Sequence, residues 1–160
     1  VLLTGHGKDI ALEIIRHHRL LEMFLHQILN YPWDEVDEEA DRLEHVISEK
    51  FEDRIAEALG HPNYDPHGDP IPNKDLTLPE SSGTALISLR TGQFATIKRV
   101  RDTEPELLRH LAEIGITPEV KIEIVGYSEF DGNLSVRNLD TDETNVLGPR
   151  ITEQIFVQVS

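Results

Sequence analysis

The 160-residue sequence contains no cysteine, which removes disulfides, thiolate zinc sites and thiol catalysis together. No apolar run approaches the ~18 residues that a membrane-crossing helix needs, and no signal-peptide pattern opens the chain. It therefore reads as soluble and cytoplasmic, with no membrane partner. Basic residues are scarce: 15 Lys and Arg stand against 30 Asp and Glu, a formal net charge of −15. Gripping phosphate requires a basic face, so this stretch is not expected to hold DNA or anionic lipid by itself. The acidic surplus favours cations, although acidity often serves solubility alone. The length suits one large or two small domains with a real core.

What is present divides near residues 73–84. Before that point Ala11, Leu12, Ile14, Ile15, Leu20, Leu21, Phe24, Leu25, Ile28 and Leu29 recur at helical spacing until Asn30-Tyr31-Pro32 stops them. A second helix is expected from about Asp34 to Gly60, with Val36, Leu43, Ile47, Phe51, Ile55 and Leu59 as its apolar stripe. Residues 60–72 hold four prolines and two glycines and cannot be regular structure. Pro79-Glu80-Ser81-Ser82-Gly83 looks like a linker. Beyond it the period changes to short β-branched runs at 85–89, 94–100, 120–125, 134–138, 144–147 and 155–159, with a hairpin loop at Asp131-Gly132-Asn133. One helical insert, Pro105 to Ile114, interrupts strands that suggest a small closed barrel. The fold class is α+β, with a helical domain over 1–72, a linker over 73–84 and a β-barrel over 85–160.

The chemistry-bearing stretch is Asp37-Glu38-Glu39-Ala40-Asp41-Arg42-Leu43-Glu44-His45. On one helix Asp37, Asp41, Glu44 and His45 fall at i, i+4, i+7 and i+8 and share a face. Three carboxylates on one stripe repel each other unless a cation sits among them. Carboxylate oxygens with an imidazole suit a divalent transition metal of the harder sort. The bland alternative is a solvated charged face. His18 and Glu22, at i, i+4, allow a shared ligand or a surface ion pair.

Four ordered signatures carry a resemblance: Leu3-Thr4-Gly5-His6-Gly7, Arg16-His17-His18-Arg19-Leu20-Leu21-Glu22, Glu39 to Ser48, and Pro66-His67-Gly68-Asp69-Pro70-Ile71-Pro72. Together they resemble the diphtheria-toxin-repressor-like metalloregulators, which include iron- and manganese-dependent repressors. The second half resembles the SH3-like domain, of the FeoA type, shared by those repressors and the ferrous-transport adaptor proteins. Glu106 to Arg109 before a Gly-Ile-x-Pro turn and Leu147-Gly-Pro-Arg150 carry that likeness. Family members begin with a winged helix-turn-helix of DNA-reading function, which ends just before the Leu-Thr-x-x-Gly signature. Its absence from this stretch is therefore an expectation.

The resemblance implies two metal positions. Asp41, Glu44 and His45 match ligands of the site that switches DNA binding, while His18, Glu22 and Asp37 match an ancillary site. In iron sensors the SH3-like domain adds ligands; Asp102 and Glu106 are nearest here, with Glu104 and His110 as rivals. Some iron-responsive members have cysteine where Asp41 stands, whereas manganese-responsive members have a carboxylate. That hard oxygen favours Mn²⁺ over Fe²⁺, with Zn²⁺, Co²⁺, Ni²⁺ or Cd²⁺ able to occupy the site in vitro. His17, His26 and His61 are assigned to surface or structural roles, and His67 to fixing its loop, with metal contact as its lesser alternative.

The expected function is the metal-sensing and dimerisation portion of a Mn(II)/Fe(II)-dependent repressor controlling metal-homeostasis genes, not an enzyme. It would form a homodimer through the helical domain, around Phe24, Leu25, Phe51 and Ile55, and meet operator DNA only in the full-length protein. Two alternatives are a dinuclear metal-dependent hydrolase and a non-DNA-binding adaptor built on the SH3-like domain. The hydrolase lacks a convincing separate general base.

Overall fold

In the computed structural model residues 5–81, 83–101 and 103–160 are described. The chain forms two compact units, Val1–Ser81 and Ser82–Ser160. No described helix is long and apolar enough to cross a membrane.

The first unit is helical. α1 runs Gly5–Gln27 and buries Leu20, Leu21, Glu22 and Leu25. One turn later Asn30 adopts φ 58° and the Tyr31 amide returns to the Leu25 carbonyl at 3.0 Å, so the chain reverses where Pro32 could not continue a helix. α2 spans Val36–Leu43 and opens with Asp37, Glu38 and Glu39, charges that suit the positive end of a helix dipole. α3 spans Glu49–Ala58 and ends at Gly60 with φ 72°, a left-handed stop that glycine takes without strain.

The continuous helix expected from Asp34 to Gly60 is thus two helices. Ser48 is extended, and its hydroxyl accepts the Phe51 amide as the N-cap of α3. The break lets Leu43, at the end of α2, and Ile47, just before the Ser48 cap, both pack on a core of Leu20, Leu21, Leu25, Val36, Ala40, Ile55, Ala56 and Ile71. A single straight helix has one stripe; two short ones wrap α1 from two directions.

The second unit is one antiparallel six-stranded sheet in the order β1-β6-β2-β3-β4-β5. Its strands are β1 (Thr84–Ala85), β2 (Phe94–Val100), β3 (Lys121–Tyr127), β4 (Leu134–Asn138), β5 (Thr144–Leu147) and β6 (Ile155–Val159). α4 (Pro105–Glu113) follows β2, and a short α5 (Pro149–Thr152) precedes β6. The run at 85–89 is strand only at its start; Leu86–Ser88 tighten into a 3-10 turn. Alternate residues of β4, Leu134, Val136 and Asn138, face inward with Ile122, Ile124, Ile97 and Val157, as a sheet with one buried face requires. Buried Asn138 is satisfied by donating to the Gly115 carbonyl and accepting the Asp140 amide.

Candidate metal centre

The site is built where α1, α2 and the loop at 63–71 converge. The loop is shaped by its own backbone: the Asp65 amide bonds the Asp69 carbonyl at 2.9 Å, and the Ile71 amide bonds the Asn63 carbonyl at 2.8 Å. Oδ1 of Asp65 accepts the amides of His67 at 2.8 Å and Asp69 at 3.0 Å, an Asx-type turn. Gly68, at φ 90°, supplies the left-handed residue. The turn presses the His67 side chain inward, where it is fully buried. Arg19 fastens the loop to α1 through the Pro70 carbonyl at 2.5 Å, and Arg16 fastens the next segment through the Pro72 carbonyl at 2.7 Å.

His18 is the hub. Its Nδ1 lies 2.9 Å from Oε2 of Glu44 and 3.7 Å from Asp41, while Nε2 lies 3.1 Å from Asp37 and 3.5 Å from Glu22. One nitrogen thus faces the ligands that the resemblance gave to the switching site, and the other faces those of the ancillary site. Burial pulls the ring's pKa down, but Glu22, Glu44 and Asp37 more than reverse this, raising it from 6.5 to about 9.

Glu22 joins His18 to a second, deeper group. It is 1% exposed, and neither carboxylate oxygen has a hydrogen-bond partner. His67 Nδ1 lies 3.8 Å from Glu22 Oε1 and 3.9 Å from Asp65 Oδ1. Oδ2 of Asp65 and Nδ1 of His67 are likewise buried without hydrogen bonds. Burial pushes the Asp65 carboxyl well above the usual range, and the carboxylates of Glu22 and Asp69 push it further. The nearest fixed cation is Arg19, whose Nε is 3.6 Å from Asp65 Oδ2, too long for a hydrogen bond.

Chemically this is a donor set waiting for positive charge. A buried carboxylate without a partner costs several kcal/mol on the usual scale, and here four buried acceptor atoms converge unsatisfied. Three groupings bring their ligand atoms within 4.8 Å of one another: His18-Glu22-Asp37, His18-Asp41-Glu44 and Glu22-Asp65-His67. Oxygen and imidazole donors in such numbers fit a divalent cation of the Mn²⁺ or Fe²⁺ kind. The residues present therefore suit a metal.

Of the residues singled out from sequence, His18, Glu22, Asp37, Asp41 and Glu44 come together. His45 does not join them. α2 ends at Leu43, so His45 lies beyond it, 73% exposed, with its Nε2 3.2 Å from Glu44 Oε1. Glu106 stands exposed in the first turn of α4 in the other unit, Glu104 pairs with Arg150 at 3.3 Å, and Asp102 lies outside the described residues. Asp65 was missed, and His67 belongs to the buried group as well as to its loop. The signal that could have found them is the setting: an Asp and a His two residues apart in a turn closed by prolines.

Two family descriptions match the chain: the iron dependent repressor metal binding and dimerisation domain over residues 4–73, and the FeoA domain over 84–159. A solved manganese-dependent transcriptional repressor in complex with manganese is 41% identical, with TM-score 0.94, over all of this chain and 76% of that one. The manganese regulator SloR is 31% identical, with TM-score 0.81, over 99% of this chain and 73% of that one. The iron-dependent repressor IdeR of Mycobacterium tuberculosis (strain H37Rv) is 44% identical over 134 residues, 76% of this chain and 58% of the relative. The chain thus spans less than two thirds of the length of such curated relatives.

Proposed function

The chain belongs to the diphtheria-toxin-repressor-like family of metal-dependent transcriptional regulators, and from that premise we propose that it is the metal-sensing and dimerising portion of a Mn(II)- or Fe(II)-dependent repressor. The observation that carries the reading is Glu22, a fully buried carboxylate with no hydrogen bond, placed between His18 and His67. His18, Glu22 and Asp37 would hold one cation, Asp41 and Glu44 with His45 a second, and Asp65 with His67 extends the donor set inward. His45 would have to turn toward Glu44 and Asp41 to take part.

A bound cation supplies the positive charge these donors lack. The chain's own residues set what that charge can do. α1 contributes His18 and Glu22, α2 contributes Asp37 and Asp41, and the loop contributes Asp65 and His67, so neutralisation removes the repulsion that drives three segments apart. A site whose ligands come from separate segments binds best when those segments are close, and that differential affinity is what a switch requires. Manganese is preferred because every donor is oxygen or imidazole and Asp41 stands where a thiolate would favour softer metals.

The dimer contact we assign to the exposed apolar residues Ile10 and Ile14 of α1 and Phe51 of α3, which are 44%, 46% and 48% exposed. Leu25 and Ile55 drop out of that surface, because each is only 2% exposed within the core. In the full-length dimer, operator binding in a mobility-shift assay should require Mn²⁺ and fail with Glu44→Ala, while the 160-residue chain alone should shift no operator. Operator binding that is indifferent to metal would sink the proposal.

A further inference from the structure

The buried imidazole of His67 is held by one residue whose role is not explained by the core it packs in. Its Nε2 lies 2.6 Å from the Trp33 carbonyl oxygen. A carbonyl can only accept, so Nε2 carries the hydrogen and the ring's remaining nitrogen, Nδ1, faces Glu22 and Asp65. The Trp33 indole stacks on the same imidazole, with centroids 5.8 Å apart and planes at 27°. Both rings are buried, Trp33 at 6% exposure and His67 at 0%. The hydrogen bond thus selects the tautomer while the stacked ring blocks rotation about the ring's own axis.

We infer that Trp33 is a positioning residue of the metal centre: its carbonyl and its indole together present Nδ1 of His67, with its lone pair, to a divalent cation held with Glu22 and Asp65. The inference rests on the reading of that cluster as a metal site. A ligating histidine whose other nitrogen donates to a carbonyl is a stronger and better-oriented ligand than a free one. The alternative orientation, Nδ1–H toward the cluster, would present a hydrogen where a cation should sit.

Trp33 also lies in the segment between α1 and α2, three residues before Val36 opens α2. Holding His67 against Trp33 therefore ties the 63–71 loop to the start of the helix that carries Asp37 and Asp41. A cation in the deep cluster steadies the approach of the outer ligands through this carbonyl, in addition to the link that Glu22 makes between the two groups.

The test is nitrogen-resolved NMR of the histidine rings in the 160-residue chain, with Zn²⁺ as a diamagnetic probe, alongside Zn²⁺ affinity for three variants. The expected result is an Nε2-protonated His67 in the metal-free protein, with Zn²⁺ shifting Nδ1. Trp33→Ala leaves the main-chain carbonyl in place but removes the stacked indole, so the His67 ring should gain freedom to turn, its ring signals should broaden, and affinity should fall by roughly 10-fold or more, the usual scale for an outer partner of a ligand. Trp33→Phe keeps a flat ring against the imidazole and should restore both the sharp ring signals and the affinity, which guards against a simple folding defect in the alanine variant. An Nδ1-protonated His67 in the native chain, or a Trp33→Ala protein with unchanged ring signals and affinity while His67→Ala is damaged, overturns the role of Trp33. If His67→Ala itself binds Zn²⁺ unchanged, it is the metal reading of the cluster that has failed, and the inference falls with it.

Discussion

The Nδ1 of His18 lies 2.9 Å from Oε2 of Glu44, joining the middle of α1 to the residue that caps the end of α2. The same ring reaches Asp37 at 3.1 Å from its other nitrogen. In the metal-free molecule, then, a protonated histidine occupies the place of positive charge among four carboxylates. Metal uptake has to displace that proton.

This sets the pH dependence. The folded-state pKa of His18 is raised from 6.5 to about 9. For the metal-free chain its stabilisation is therefore complete below pH ~6.5 and is lost as pH rises through about 9. Mn²⁺ affinity should run the opposite way, strengthening over that window by up to roughly tenfold per pH unit for one released proton. Calorimetric titration with Mn²⁺ at several pH values measures it, and His18→Gln should flatten the profile. Affinity that ignores pH in the native chain contradicts the arrangement.

Glu22→Gln removes a buried charge without changing shape. It also takes from His18 one of the carboxylates that hold its proton, at 3.5 Å, so the informative quantity is the response to metal. The rise in melting temperature that Mn²⁺ gives the native protein should shrink or vanish in the variant. Paired thermal scans with and without Mn²⁺ decide it; a variant that still responds fully to Mn²⁺ refutes the assignment.

Ser48 separates helix architecture from metal chemistry. Its hydroxyl accepts the Phe51 amide at 3.3 Å, so Ser48→Ala should cost about 1 kcal/mol in chemical denaturation. Mn²⁺ affinity should be preserved, since none of the converging ligand atoms lies in α3.

Much of this was legible before the fold was known, for definite reasons. The strands at 94–100, 134–138, 144–147 and 155–159 fall where β-branched alternation put them, because local propensity and burial agree there. Pro105 marked the start of α4, as a proline in the first turn should. Across 34–60 the apolar period ran straight through Ser48, and tertiary wrapping around α1 then favoured its capping chemistry over the longer helix. His18 and Glu22 share a helical turn and so could be paired from spacing. No local period links residue 22 to Asp65 and His67. Their meeting depends on how the proline-bounded loop folds back, and only the packed molecule reveals it.

The apolar residues left outside on α1 and α3 make a quaternary prediction. Ile14→Glu combined with Phe51→Glu should convert a dimer into a monomer in sedimentation velocity while leaving the far-ultraviolet circular dichroism of the helices unchanged. Neither side chain is part of the buried core, so folding should survive. A chain that sediments as a monomer without the substitutions removes the proposed interface.

Everything proposed for this chain turns on α1, α2 and the 63–71 loop converging on a divalent cation. The most direct test is a crystal of this chain grown with Mn²⁺ and measured at a wavelength where manganese scatters anomalously. An anomalous peak is expected within bonding distance of Glu22, shared with His18 and Asp37 or with Asp65 and His67. A fully occupied crystal environment with no peak beside Glu22, or manganese bound only at remote surface carboxylates, would contradict it.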